Sequence, residues 1–94
     1  MHVRKTDKNQ AEIIRAFREH GCSVQSLHRV GGGFPDLLVC NRRLNYLVEV
    51  KSKYGKLYEN QVRWIDFWPS EVYVCRTTYD VTELVERWNS THQK

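Results

Sequence analysis

Two short apolar runs flank a polar pair near the middle of the chain, and this arrangement limits what the rest can fold into. Residues 31–51 read GGGFPDLLVCNRRLNYLVEVK. Apolar runs at 37–40 and 46–50, joined by a short polar turn, predict a β-hairpin. Side chains alternate faces along a strand, so Asp36, Leu38 and Cys40 share one face of the first run, and Leu47, Glu49 and Lys51 share one face of the second. If Arg42 and Arg43 form a two-residue turn, Asp36 falls opposite Glu49; a slip of one whole side-chain repeat would put it opposite Lys51 and still keep all three together. Directly opposed residues have Cβ atoms only about 5 Å apart. Two acids at that range repel each other unless a cation lies between them. Hard divalent cations, Mg²⁺ above all, take oxygen ligands of this kind. The local chemistry therefore predicts a carboxylate metal site with an ammonium beside it.

The 94 residues suit one small domain spanning 1–94, with a compact core to which a partner subunit would usefully add. The formal charge of +4 permits a polyanionic partner such as nucleic acid without demanding one. Cys22, Cys40 and Cys75 have no CxxC spacing and are expected as free thiols in a reducing compartment. The sequence has no stretch apolar enough to cross a bilayer and no secretory pattern in MHVRKTDKNQ, so a soluble cytoplasmic protein is expected.

In chain order, residues 1–6 are polar and expected to fray. Asp7 is a good N-cap, with Gln10 three positions on. Ala11, Ile14 and Phe17, with Ile13 alongside, form a helical stripe that Gly21 ends. Residues 22–30 suit a short strand. The triple glycine at 31–33 lets a ligand backbone approach closely, or makes a plain wide turn. Its spacing fits neither a dinucleotide fingerprint nor a phosphate loop. The two hairpin strands are apolar on both faces apart from the acids, which predicts an α/β sheet covered by helices on each side. Lys51, Lys53 and Lys56 then make a basic loop. A helix beginning at Tyr58 (YENQVRWIDFW) ends at Pro69; its aromatics suit packing or stacking on bases. A strand at 71–76 follows. Asp80, with Glu83 three positions on, is expected to cap a last helix with Val81, Leu84, Val85 and Trp88 on one face and a fraying tail, NSTHQK. The expected order is helix, strand, strand, strand, helix, strand, helix.

Glu12, the GFPD of residues 33–36, the EVK of residues 49–51 and Gln61 together resemble the PD-(D/E)xK nuclease superfamily, most closely the small stand-alone VRR-NUC domains, which are also similar to archaeal Holliday junction resolvases. The resemblance implies a restriction-endonuclease-like core: a helix, then a mixed sheet of about four strands with flanking helices. It implies that Asp36 and Glu49 bind Mg²⁺ or Mn²⁺ and that the Val50 carbonyl completes the protein ligands. Lys51 would orient the water and stabilise the transition state, Glu12 would hold a metal-bound water or a second ion, and Gln61 would position Lys51 or the phosphate. Arg29, Arg42, Arg43, Lys53 and Lys56 would contact backbone phosphates, with Gly32 and Gly33 at the site. No base-reading motif is present, so structure-selective cutting of branched, flapped or junction DNA is expected over cutting at a defined sequence. A homodimer is expected, formed through the hairpin edge, the Trp64–Trp68 face or the last helix, as is a helicase or repair partner in a phage or bacterial host. The alternatives are a non-catalytic nucleic-acid-binding module of the same fold, and a structural protein in which the acids form a buried ion pair with Lys51.

Overall fold

The structure is a computed structural model and describes residues 6–91. The element order is α1 (Thr6–Glu19), β1 (Ser23–Ser26), β2 (Leu37–Asn41), β3 (Leu44–Val50), α2 (Glu59–Phe67), β4 (Val72–Cys75) and α3 (Thr78–Thr91), as the sequence pattern predicts. The strands form one mixed sheet in the order β1-β2-β3-β4. The first two pairings are antiparallel; β3 and β4 run parallel, with α2 as the crossover between them.

The β2–β3 hairpin has the two-residue turn. Asn41 pairs with Leu44 and Leu37 with Val48, so the same register carried one residue further sets Asp36 against Glu49. Arg42 and Arg43 both take positive φ, 51° and 72°, the twist that a two-residue hairpin turn needs. L-residues rarely adopt this conformation, at a cost of about 1–2 kcal/mol each. The register is held by the opposite face of the hairpin, where Leu37, Val39, Tyr46, Val48 and Val50 are buried.

Helices α1 and α3 pack on each other over that face. Ile13, Ala16 and Phe17 from α1 meet Val81, Leu84, Val85 and Trp88 from α3 in one core with the strand residues. The Trp88 ring stacks on Tyr46 with centroids 3.8 Å apart and on Phe17 at 5.9 Å. The apolar stripe of the last helix is thus used within the chain and does not offer a dimer surface. Gly21, at φ 87°, closes α1.

Four local expectations are corrected. Helix α1 begins at Thr6, which puts Asp7 inside its first turn instead of at the cap; the rest of the segment expected to fray, residues 1–5, lies outside the described residues. Helix α3 begins earlier than Asp80. The Thr77 hydroxyl accepts the Asp80 amide at 3.2 Å while an Asp80 carboxylate oxygen accepts the Thr77 amide at 3.1 Å, so Thr77 is the cap and Asp80 its reciprocal partner. Of the tail expected to fray, residues 89–91 are helical, and the Asn41 side-chain amide, in the buried strand, donates to the Asn89 side chain at 2.8 Å; residues 92–94 lie outside the described residues.

The fourth correction concerns coverage of the sheet. One face is sealed by α1 and α3; the other is covered only in part. No residue of α2 is buried, and Leu38, Cys40 and Leu47 on that face of the sheet are only half-buried. Phe34 meets Trp64 edge-on at 4.8 Å, and Trp64 stacks on Trp68 at 4.8 Å. A groove of about 550 Å³ is left between Phe34, Leu38, Leu47 and Trp68. Among the described residues no helix is long and apolar enough to cross a membrane.

Gly31, Gly32 and Gly33 all have positive φ, but they differ in surroundings. Nothing lies within 4 Å of a Cβ built at Gly32, whereas one built at Gly33 would lie 2.4 Å from the Asn60 carbonyl oxygen, at the start of α2. Gly33 is therefore where the glycine loop abuts α2. Gly32→Ala should cost about 1–2 kcal/mol through backbone strain alone. Gly33→Ala should cost at least about 2 kcal/mol more, because the Asn60 backbone must also move. Urea unfolding midpoints of the two variants check the difference.

Candidate active site

The acids and the lysine meet at the end of the hairpin away from its turn. Asp36 lies just before β2, and one of its carboxylate oxygens accepts the Val50 amide at 2.8 Å, so the side chain bridges the two strands where the register would otherwise open. Its own carbonyl accepts the Leu27 amide at 2.7 Å, tying the start of β2 to the end of β1. Glu49, on β3, is 1% exposed, and Lys51, just after it, is 6% exposed. The Lys51 backbone is pinned on both sides: its amide donates to the Cys75 carbonyl at 3.0 Å, and its carbonyl accepts the Asn9 side-chain amide at 2.9 Å.

Gln61 joins this group from the first turn of α2. Its side-chain amide donates to a Glu49 carboxyl oxygen at 2.7 Å, and its side-chain carbonyl accepts the Tyr58 backbone amide at 2.8 Å. One residue thus caps the helix and holds the acid. The Lys51 ammonium lies over the Tyr58 ring, 4.3 Å from its centroid. These groups line a cavity of about 520 Å³ whose walls also include Leu27, His28, the three glycines, Phe34, Val50 and Asn60.

Burial pushes the Glu49 carboxyl up to about 8; the neighbouring charge of Asp36 and a hydrogen bond with it add to the effect, and the Lys51 charge opposes it. The site therefore holds two acids close together in a poorly solvated place, with the nearby ammonium failing to compensate fully. A hard divalent cation fits this donor set of two carboxylates beside the backbone of Val50. Among the described residues no group of three or more His, Cys, Asp and Glu side chains forms a metal cluster, so the protein supplies at most two carboxylates here.

The remaining predicted residues are placed as follows. Gly32 and Gly33 line the cavity, and Arg29 is exposed on the turn beside His28. Lys53 and Lys56 are exposed on the loop after Lys51. Glu12 is exposed on α1, three positions beyond Asn9, and is not among the cavity-lining residues. Arg42 and Arg43 occupy the hairpin turn, separated from Glu49 by the length of β3, roughly 20 Å. Sequence reasoning missed Asn9, His28, Tyr58 and Asn60 at the site, and Arg76, whose guanidinium donates to the carbonyls of Ser52 (2.9 Å) and Gly55 and so holds the lysine loop. Tyr58 had a legible signal, an aromatic at a helix start directly after the basic loop. Asn9 and Arg76 had none, since both act on backbone carbonyls far away in sequence.

A mixed four-stranded sheet with an acid at the mouth of one hairpin strand and Glu-x-Lys at the end of the next defines a restriction-endonuclease-like, nuclease-type domain of the PD-(D/E)xK superfamily. The comparisons agree. The family model described as the VRR-NUC domain matches residues 4–78, and the chain belongs to that family. A solved structure titled "VRR_NUC domain" is similar to it with a TM-score of 0.70 and 27% sequence identity, covering 92% of this chain and 99% of the other. No curated protein sequence matches the chain.

The raised Glu49 carboxyl has a consequence for stability. Folded Glu49 keeps its proton up to about 8, while in the unfolded chain it loses it near its ordinary value of 4.5. Between these limits the folded state binds more protons, so stability falls as pH rises. Thermal melts in EDTA should give a lower Tm at pH 8 than at pH 5. Glu49→Gln should flatten that slope, and saturating Mg²⁺ should raise the wild-type Tm most at the alkaline end.

Proposed function

We propose that the chain is a divalent-metal-dependent endonuclease that hydrolyses phosphodiester bonds in DNA, with a preference for branched or flapped structures. The observation that carries this reading is half-buried Asp36 beside buried Glu49, with buried Lys51 next to them on the wall of one cavity. A Mg²⁺ or Mn²⁺ ion held there would supply Lewis acidity to the phosphate and to the attacking water. Asp36 and Glu49 provide its charged ligands, with the Val50 carbonyl as a third. Gln61, fixed at both ends of its amide, holds the orientation of Glu49. Lys51 stabilises the negative charge that builds on the phosphate as the water attacks. Lys53, Lys56 and Arg29 neutralise flanking phosphates. Arg42 and Arg43, roughly 20 Å away along the sheet, reach phosphates of a more distant arm. Glu12 faces solvent on α1 and would act only through a water or a second ion.

Labelled duplex, single strand, splayed arms, a 5′ flap and a four-way junction test this reading in Mg²⁺, Mn²⁺ and EDTA. The wild type should cut at least one branched substrate in metal and none in EDTA. Asp36→Asn and Glu49→Gln should reduce cleavage to background while melts in EDTA still show a cooperatively folded protein; Asp36→Ala should in addition lower Tm, because it leaves the Val50 amide without its acceptor. Lys51→Ala should lose about 10²–10³-fold in rate. Tight binding with no cutting by the wild type would support a non-catalytic binding module.

Two copies acting together would present two sites to two strands. The half-covered sheet face at Leu38, Leu47, Phe34 and Trp68 is the surface we assign to that contact. Sedimentation should give a dimer that Trp68→Glu converts to monomer; a wild-type monomer at high concentration would refute it.

A further inference from the structure

We propose that the Tyr58 ring is a stacking platform for an unpaired nucleobase beside the scissile phosphate. The inference rests on the nuclease reading of the site and adds to it a physical source of structure selectivity.

Tyr58 occupies the N-cap of α2, where Ser, Thr, Asp or Asn normally accepts an amide of the first turn with its side chain. A tyrosine hydroxyl is too far from its own backbone to do so. The Gln61 amide is instead taken by the Tyr58 carbonyl at 2.9 Å. The tyrosine side chain therefore does nothing for the helix. It does nothing for the core either, being 70% exposed. Its recorded contact is with Lys51, whose ammonium lies over the ring at 4.3 Å. The ring also lines the cavity that holds Asp36 and Glu49.

A ring has two faces. One carries the ammonium and the exposure leaves the other open to solvent. A phosphate drawn to Lys51 brings its attached nucleoside alongside, and a nucleobase laid on the open face would complete a cation–ring–base stack. A base inside a duplex has both faces already covered by its neighbours. Only an unpaired or extruded base can use the platform. Stacking at Tyr58 thus favours nucleotides at forks, flaps and junctions, with no base-edge contact required.

The same loop repeats the arrangement. The Lys53 ammonium lies 5.5 Å from the centroid of Tyr54, itself 85% exposed. Arg76 clamps the intervening turn through the carbonyls of Ser52 and Gly55, so the loop is held in shape before substrate arrives. Cations and aromatics alternating along a pinned strand-to-helix loop match what single-stranded nucleic acid needs: charge for the backbone and flat faces for the bases.

The test uses the full chain in Ca²⁺ with a splayed-arm DNA carrying 2-aminopurine at one unpaired position at a time, and a fully paired control. Fluorescence quenching reports stacking, and titration reports affinity. Wild type and Tyr58→Phe should quench the probe at one or two unpaired positions. Tyr58→Leu and Tyr58→Thr should not, and should bind the splayed arms roughly 5- to 100-fold more weakly than wild type. Their loss on the paired control should be at least about tenfold smaller. Tyr58→Thr supplies a good N-cap, so it guards against a result caused by damage to α2. Equal quenching by Tyr58→Thr and wild type, or equal affinity losses on both DNAs, would overturn the proposal. If wild type cuts DNA but quenches no position, the platform fails and the nuclease stands. If it quenches but cuts nothing in Mg²⁺ or Mn²⁺, the nuclease reading fails and the platform stands.

Discussion

The register of the β2–β3 hairpin is the constraint on which the rest depends. Leu37, Val39, Tyr46 and Val48 must all face α1 and α3, and a one-residue slip would turn every one of them to the wrong side. Burial of that face therefore also decides where the other face puts its polar groups. Asp36 and Glu49 come together because the apolar residues next to them have to. The strained turn at Arg42 and Arg43 is tolerated for the same reason: a few kcal/mol of backbone strain is small beside the burial of four large side chains, each contributing about 1.5–3 kcal/mol.

The site and α2 depend on each other. With no buried residue, α2 has little packing of its own. It is positioned by Gln61 reaching Glu49, by the close approach of Gly33 to Asn60, and by Phe34 against Trp64. Two of these three ties end on the site or on the glycine loop beside it. Burial, with the Asp36 charge adding to it, makes Glu49 hold its proton well above the usual carboxylate range. A cation bound there would have to displace that proton, so its affinity would rise with pH. The least consolidated helix therefore borders the cavity, while the helices that seal the core lie behind the sheet.

Much of this was legible in the sequence for identifiable reasons. The order of the seven elements followed from periodicity, and the pairing of Asp36 with Glu49 followed from parity and the two-residue turn. Gln61 was singled out at the start of its helix, and there it meets Glu49. The misreadings were equally specific. Asp80 looks like a cap, but Thr77 before it can accept the amide of Asp80 itself and start the helix sooner. The strands look buried on both faces, but α2 is too short and too polar to cover the second one. Placement is a separate matter: Arg42 and Arg43, grouped with Lys53 and Lys56 by charge, stand at the opposite end of the hairpin from the acids, a separation that charge alone does not show. Glu12 was taken toward the site, whereas the neighbour that touches the Lys51 backbone from α1 is Asn9.

What the sequence by itself determined is whatever depends on local repetition: strand parity, helix stripes, the hairpin turn, and therefore the shared face of Asp36, Glu49 and Lys51. Only the tertiary structure decided how far each face is covered, which backbone carbonyls Asn9 and Arg76 hold, where Tyr58 lies over Lys51, and that Glu49 is buried deeply enough to keep its proton. The division has a physical cause. Alternation and helical period are properties of a few neighbouring residues, whereas desolvation, capture of a distant carbonyl and ring–cation contact depend on groups brought together across the chain, which no local pattern encodes.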